Sequence, residues 1–238
     1  MKSFLELRRL LPLLAGVLFL LVLAFPVWNV TVHAIQYPNE PLRLDVYAYP
    51  RIEGDYEEMH MLNKYIGFYY PDPVYWTPNY KVYEPGIDVP EWSIGWVAFL
   101  IVSGLSIFVA VAPNENKLKK GLFWQLVGTI SVFTVMLVDI QYRLYQAGHT
   151  LDPNAPVLGV DDFTPPVWGK YEVANITSYS RFGTGVYLAT VAILLLAVAF
   201  WYRNSTKSLG ELGQDLMFWS STSSARSDGS TSSSSINP

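Results

Sequence analysis

Three histidines, five methionines and no cysteine bound the metal chemistry open to this 238-residue chain. Without thiolates, thiolate zinc sites, iron–sulfur clusters and covalently attached c-type haem are excluded. The densest group is Met59-His60-Met61. Thioethers suit Cu(I), and imidazole suits copper in either oxidation state. On a helix three adjacent side chains fan over about 200°, and on a strand His60 faces away from both methionines. Contiguity therefore argues against one three-ligand site. The other reading places Met59 and Leu62 in a core with His60 on the surface. His149 lies in "YQAGHTLDPNAP", where Gly148 reads as a helix-stopping C′ residue and Asp152-Pro153 as a turn. A helix C-terminus favours a cation there. His149 is thus a ligand, alone or with His60, or a hydrogen-bonded residue that holds the turn. Asp139 and Arg143 stand four apart, a spacing that allows an ion pair on one helical face. A proton-relay role for Asp139 is the alternative, because a carboxylate at a membrane edge is costly unless paired or wet.

Enzymatic signatures are missing. There is no phosphate-binding glycine loop, no Gly-x-Ser-x-Gly elbow and no His-Glu-x-x-His pair. A formal charge of −4 with no basic tract gives no reason to expect a nucleic-acid partner.

The elements that position these residues are membrane elements. Only 15% of residues are charged and 51% are apolar, against about 25% charged in an ordinary soluble domain. Four windows satisfy the roughly 20-residue requirement for a spanning helix: 10–28, 94–112, 121–140 and 183–202. Pro12 is placed in the first turn of the first window, where a missing N–H costs little. That window exits through "AFPVW", with no small-x-small cleavage site, and reads as an uncleaved anchor spanning residues 1–28 with its basic leader. Lys2, Arg8 and Arg9, then Lys117, Lys119 and Lys120 in the link 113–120, then Arg203 and Lys207 fall on one side. The positive-inside rule makes that side cytoplasmic, together with both termini. The expected fold class is thus membrane, mainly α. Four transmembrane helices carry a Tyr/Pro-rich extracytoplasmic cap made by loops 29–93 and 141–182, with some β structure in the first. Small residues Gly104 and Ser106, or Gly128 and Ser131, are candidates for helix packing.

Within the first loop, "LRLDVYAYPRI" alternates as a strand, and "DYEEMHMLNKYIGF" reads as a short helix with Asp55 as N-cap and Gly67 as stop. The prolines that follow forbid regular helix. "LGELGQDLMFW" reads as a short interfacial helix, and the Ser-rich end of the tail 203–238 reads as disordered. Asn29 and Asn175 begin outward-facing Asn-x-Thr triplets.

Four pieces in order resemble a family of multispanning membrane proteins found beside nitrous oxide reductase and its copper-maturation factors. They are "FPVWNVTVHAIQYP", "LNKYIGF", "AGHTLDPNAP" and "PPVWGKYEVANITSYSRFGTG". The second supplies Asn63, Tyr65 and Gly67, and the third supplies Gly148, His149, Asp152 and Pro153. The chain departs from the pattern at Lys64, where the family has histidine, and at Phe68, where it has methionine. The resemblance implies an accessory role in nitrous oxide respiration: copper delivery to the reductase, its maturation or its membrane organisation. Its partners would be the bilayer, the reductase or the maturation proteins. Copper would be the ligand; His149 is the histidine that matches the pattern, while His60, Met59 and Met61 are candidate ligands by residue type alone. A quinol-interacting electron-transfer subunit and a non-catalytic membrane scaffold are the alternatives.

Overall fold

The computed structural model describes residues 6–38, 40–69, 71–72, 86–157 and 159–206. The expected interfacial helix at 209–219 and the Ser-rich tail lie outside these residues, as do positions 73–85 of the first loop. Helices α1 (Leu7–Val22), α3 (Pro90–Ala110), α4 (Glu115–Gly148) and α5 (Thr184–Trp201) form a bundle. The short helix α2 (Tyr56–Ile66) belongs to the cap. Three helices, α3, α4 and α5 with its terminal 3-10 turn, are long and apolar enough to cross a membrane. A multi-pass membrane protein fits this architecture. Helix α1 has 16 residues and lies between α3 and α5.

The first apolar window does not remain helical to Trp28. The helix begins earlier than the window, at Leu7, and ends at Val22. Pro12 therefore sits in the second turn, where it removes the bond to the Arg8 carbonyl. Beyond Val22 a tight turn follows, with Leu23, Ala24 and Phe25 N–H groups donating three residues back. Pro26 then forces its predecessor out of the helical region, and Trp28 opens a strand.

The basic end of the bundle is closed. Leu7 and Leu11 pack with Val109, Leu118, Leu122 and Ala199, so the start of α1, the α3–α4 link and the end of α5 meet there. Arg8 is buried and pairs with Glu6 (2.8 Å) and Glu115 (2.7 Å). Arg9 Nη1 donates to the Ala110 and Ala112 carbonyls, which cap the end of α3. Ser103 Oγ donates to the Gly16 carbonyl at 2.8 Å, and Gln125 Nε2 reaches the Val102 carbonyl and Ser106 Oγ. Such short polar ties are the glue expected between helices in lipid. Ser106 packs inside as expected, but a side chain added at Gly104 or Gly128 would meet open space, and Ser131 is exposed.

At the other end the two long loops share one antiparallel sheet, ordered β3-β2-β1-β7-β6. Its strands are β1 (Trp28–Ala34), β2 (Leu42–Val46) and β3 (Ile52–Gly54) from the first loop, with β6 (Gly169–Val173) and β7 (Ile176–Phe182) from the second. A two-residue parallel pair, β4 (Pro71–Asp72) with β5 (Ile87–Asp88), leads into α3. The segment expected as one strand over 42–52 is instead a hairpin, β2 with β3, turning through 47–51. Strand β1 joins the loops: Val30 pairs with Leu44 on one side and Ser180 on the other. Helix α2 lays Tyr56, Met59 and Leu62 onto Val32, Leu44 and Ile52. Gly67 stops it with φ 81°, as its sequence predicts, and the Phe68 N–H closes onto the Asn63 carbonyl. Asp55 occupies the N-cap position, but its carboxylate accepts from the Arg43 N–H of β2 instead of capping.

Candidate membrane-interface cavity

Helix α4 runs 34 residues, about 51 Å at 1.5 Å per residue, against a hydrocarbon thickness of about 30 Å. Its buried residues are Leu118, Leu122, Gln125 and Thr129 at the basic end and Ala147 and Gly148 at the cap end. The stretch between them leaves a cavity of about 800 Å³ under the sheet. Strands β1, β2 and β7 roof it with Val30, Val46 and Ser180, and the walls come from α3, α4 and α5. Hydrophobic side chains make nearly all of the lining, as close-packed membrane and sheet surfaces dictate.

A charged cluster interrupts this lining, which also carries Asn63, Ser178, Ser180 and Thr190. Glu91, in the first turn of α3, accepts from Arg143 Nε at 2.5 Å. Arg143 Nη1 donates to Gln146 Oε1 at 3.0 Å. The Asp139 carboxyl lies within hydrogen-bonding reach of Glu91. The expected pairing of Asp139 with Arg143 is thus replaced: among the described residues the guanidinium's ionic partner is Glu91. The four-residue spacing put both side chains on one face, but Pro90 at the first helical position starts α3 early enough to bring a second acid against them. Glu91 is the residue that reading missed. Its signal was "VPEW", a proline-led helix start with an acid in the first turn.

Asn63 and Met59 of α2 also line this cavity. Met59 is only 2% exposed, whereas Met61 is 68% exposed, so the two thioethers occupy different environments. His60 stacks on Tyr56, with centroids 6.2 Å apart. His149 stacks on Tyr145 at 3.9 Å, and its Nδ1 lies 2.9 Å from the Tyr145 carbonyl oxygen. The third histidine, His33, meets Tyr179 edge-on. Among the described residues no three His, Asp or Glu side chains are grouped to hold a metal ion.

The segments that carry the family resemblance converge beside the cavity. The Asp152 N–H donates to the Gly67 carbonyl at 2.9 Å, and the Val157 N–H donates to that of Tyr65. Asp152 Oδ1 accepts from the Asn154 N–H, which closes the Asp-Pro turn as expected. A Cβ on Gly67 would stand 3.0 Å from Asp152 and Ala155. Gly148 has a different task from the expected left-handed stop. It is the last helical residue, and a Cβ there would overlap the Phe163 carbonyl, whose N–H donates back to Gly148. Gln141 grips the second loop at Pro165 and Val167, and Trp28 Nε1 donates to the Val167 carbonyl at 2.8 Å.

The β2–β3 hairpin carries a coupled charged group. Tyr47 donates to Glu53 at 2.6 Å, and Arg51 lies over the Tyr47 ring while pairing with Glu53. Burial, then the bond to Glu53, pushes the Tyr47 hydroxyl up to about 12. The same bond, then Arg51, holds Glu53 below the usual carboxylate range. Tyr171, at the cavity wall, is raised by burial. No family model matches this chain, and comparisons with curated proteins and with solved structures find no match either.

Proposed function

We propose that this chain is a four-span membrane protein, both ends cytoplasmic, that serves nitrous oxide respiration as an accessory protein. Its task is the membrane organisation and maturation of the reductase outside the cytoplasm. The family resemblance supplies the respiratory context. The observation that carries the proposal is the Asp152-to-Gly67 hydrogen bond, which joins "LNKYIGF" and "AGHTLDPNAP" into one surface. That surface presents Tyr65 and Met61 to solvent and keeps His149 at its edge.

Organisation is favoured over copper carriage by the ligand arrangement. Met59 is committed to the cap core, and His60 and His149 each stack on a tyrosine. The test is to produce nitrous oxide reductase with the wild-type chain, without it, and with Gly67→Val. A β-branched residue at φ 81° is strained and would push the two segments apart. Wild type should retain the reductase on membranes with full copper, and the other two should not. A reductase equally membrane-bound and copper-loaded in all three would overturn the proposal. Orientation has its own check: a reporter fused after Lys207 should be active in the cytoplasm.

A further inference from the structure

The geometry points to the cavity as a binding site for a neutral, ring-bearing isoprenoid amphiphile of the quinol class, taken up sideways from the bilayer. This does not rest on the accessory role above. The volume, about 800 Å³, lies within the roughly 300–1,000 Å³ of small-molecule sites. Its walls include Ile94, Ile101 and Leu137, which are 64%, 56% and 44% exposed. These belong to the helices that face lipid, so the cavity opens toward the acyl chains and suits an apolar tail.

The head group follows from the polar end. Glu91, Asp139 and Arg143 together carry −1 when all are ionised, and Arg143 already spends Nε on Glu91 and Nη1 on Gln146. An anionic phosphate finds net repulsion and few free donors. A phenolic hydroxyl finds part-buried carboxylate acceptors, to which it donates a charge-assisted bond. A second polar contact is waiting. Ser180 is 2% exposed, lines the cavity, and its Oγ has no hydrogen-bond partner among the described residues. A buried hydroxyl left unpaired costs about 1–3 kcal/mol, and a ligand hydroxyl removes that cost. Trp28, Trp92, Phe99 and Phe133 also line the cavity, and offset stacking favours a planar ring over a sterol-like or glycerol head.

The experiment uses the full chain in lipid nanodiscs, titrated with decylubiquinol kept reduced, and measures quinol retained per chain. Wild type should saturate at one. Ala98→Trp, which fills the cavity from α3, should abolish saturable retention, and Val30→Phe, from the roof, serves if the first variant does not fold. Asp139→Asn should weaken binding about tenfold, the loss of one hydrogen bond to a charged group. Ser180→Ala should move two readouts in opposite directions, raising the melting temperature of the unliganded protein while weakening quinol retention. Non-saturating retention, or retention equal in wild type and the filled variants, overturns the site. So does native mass spectrometry showing a phospholipid that decylubiquinol cannot displace, or a second copy of the chain whose association Ala98→Trp disrupts.

Discussion

The two halves of α4 form one continuous helix and have opposite surroundings. From Glu115 to Thr129 the helix is locked to its neighbours: Leu118 and Leu122 are fully buried, and Gln125 ties it to α3. From Ile130 to Gln146 no residue is fully buried, and Phe133, Met136, Leu137 and Asp139 face the cavity. Hydropathy is blind to this change, because Leu in lipid, in a helix interface and in a cavity wall read alike. What differs is the partner. At the basic end α1, α3 and α5 converge, whereas the cap end of α4 is tied by Arg143 to Glu91 and by Gln141 to the second loop, with the cavity beside it.

The comparison breaks most readily through leucine truncation. Leu118→Ala or Leu122→Ala should destabilise the protein by about 2–4 kcal/mol, the cost of lost contacts plus an unfilled hole. Leu137→Ala should cost under about 1 kcal/mol, since that side chain already borders open volume. Reversible unfolding in mixed detergent micelles measures both, and equal losses would mean that the cap-end half is packed as tightly as the other. A smaller effect is expected at Arg143. Its pair with Glu91 is about a quarter to a third exposed, so Arg143→Met should cost about 1 kcal/mol after solvent screening. Adding Glu91→Gln should recover part of that loss, because one unpaired acid is then removed. No recovery would show that Asp139, not Glu91, dominates the cluster.

The sequence reading succeeded where one short-range rule decides and failed where distant segments meet. Gly67 stops α2 because its left-handed φ needs glycine, and the pattern "NKYIGF" shows that locally. The extension of α4 beyond its apolar window was visible in the helical spacing of Asp139 and Arg143 and in Gly148, read as the residue that stops the helix. The five-stranded sheet was not visible. Its central pairing joins β1 to β7, residues far apart in the chain, and "LRLDVYAYPRI" alone cannot reveal that Tyr47 to Arg51 form a turn. Asp139 and Arg143 were found by spacing, but their true partner Glu91 comes from another helix. Gly148 carried the right residue for the wrong stated reason: the Phe163 carbonyl excludes a side chain there, and tertiary approach of that kind leaves no local signature.

The cap should show its own charge dependence, separate from the closed bundle end. Tyr47 has its hydroxyl pKa raised to about 12, against about 10 in an unfolded chain. A raised value means the folded state holds the proton more tightly. Its contribution is therefore complete below pH 10, declines between about 10 and 12, and is gone above. Glu53 is shifted the other way, so its contribution is present above the ordinary carboxylate value and lost as acid protonates it. Tyr47→Phe should remove the alkaline decline and most of the Glu53 depression together. Difference tyrosinate absorbance and unfolding against pH check this, and an unchanged alkaline limb in the variant would assign the decline to another tyrosine.

The smallest expected change is at the far edge of the sheet. Ala174 opens the two-residue turn between β6 and β7 with φ 50°, the one non-glycine residue with positive φ among those described. A left-handed alanine costs roughly 1–2 kcal/mol, and glycine removes that strain while loosening the unfolded chain by about 0.4–1 kcal/mol. Ala174→Gly should therefore stabilise the cap by about 0.5 kcal/mol and leave quinol retention unchanged. The turn is exposed and lies outside the cavity lining. If relaxing it altered retention, the sheet would be transmitting turn strain to its inner face. The contrast between a rigid basic end and an accommodating cap end would then extend to the strands themselves.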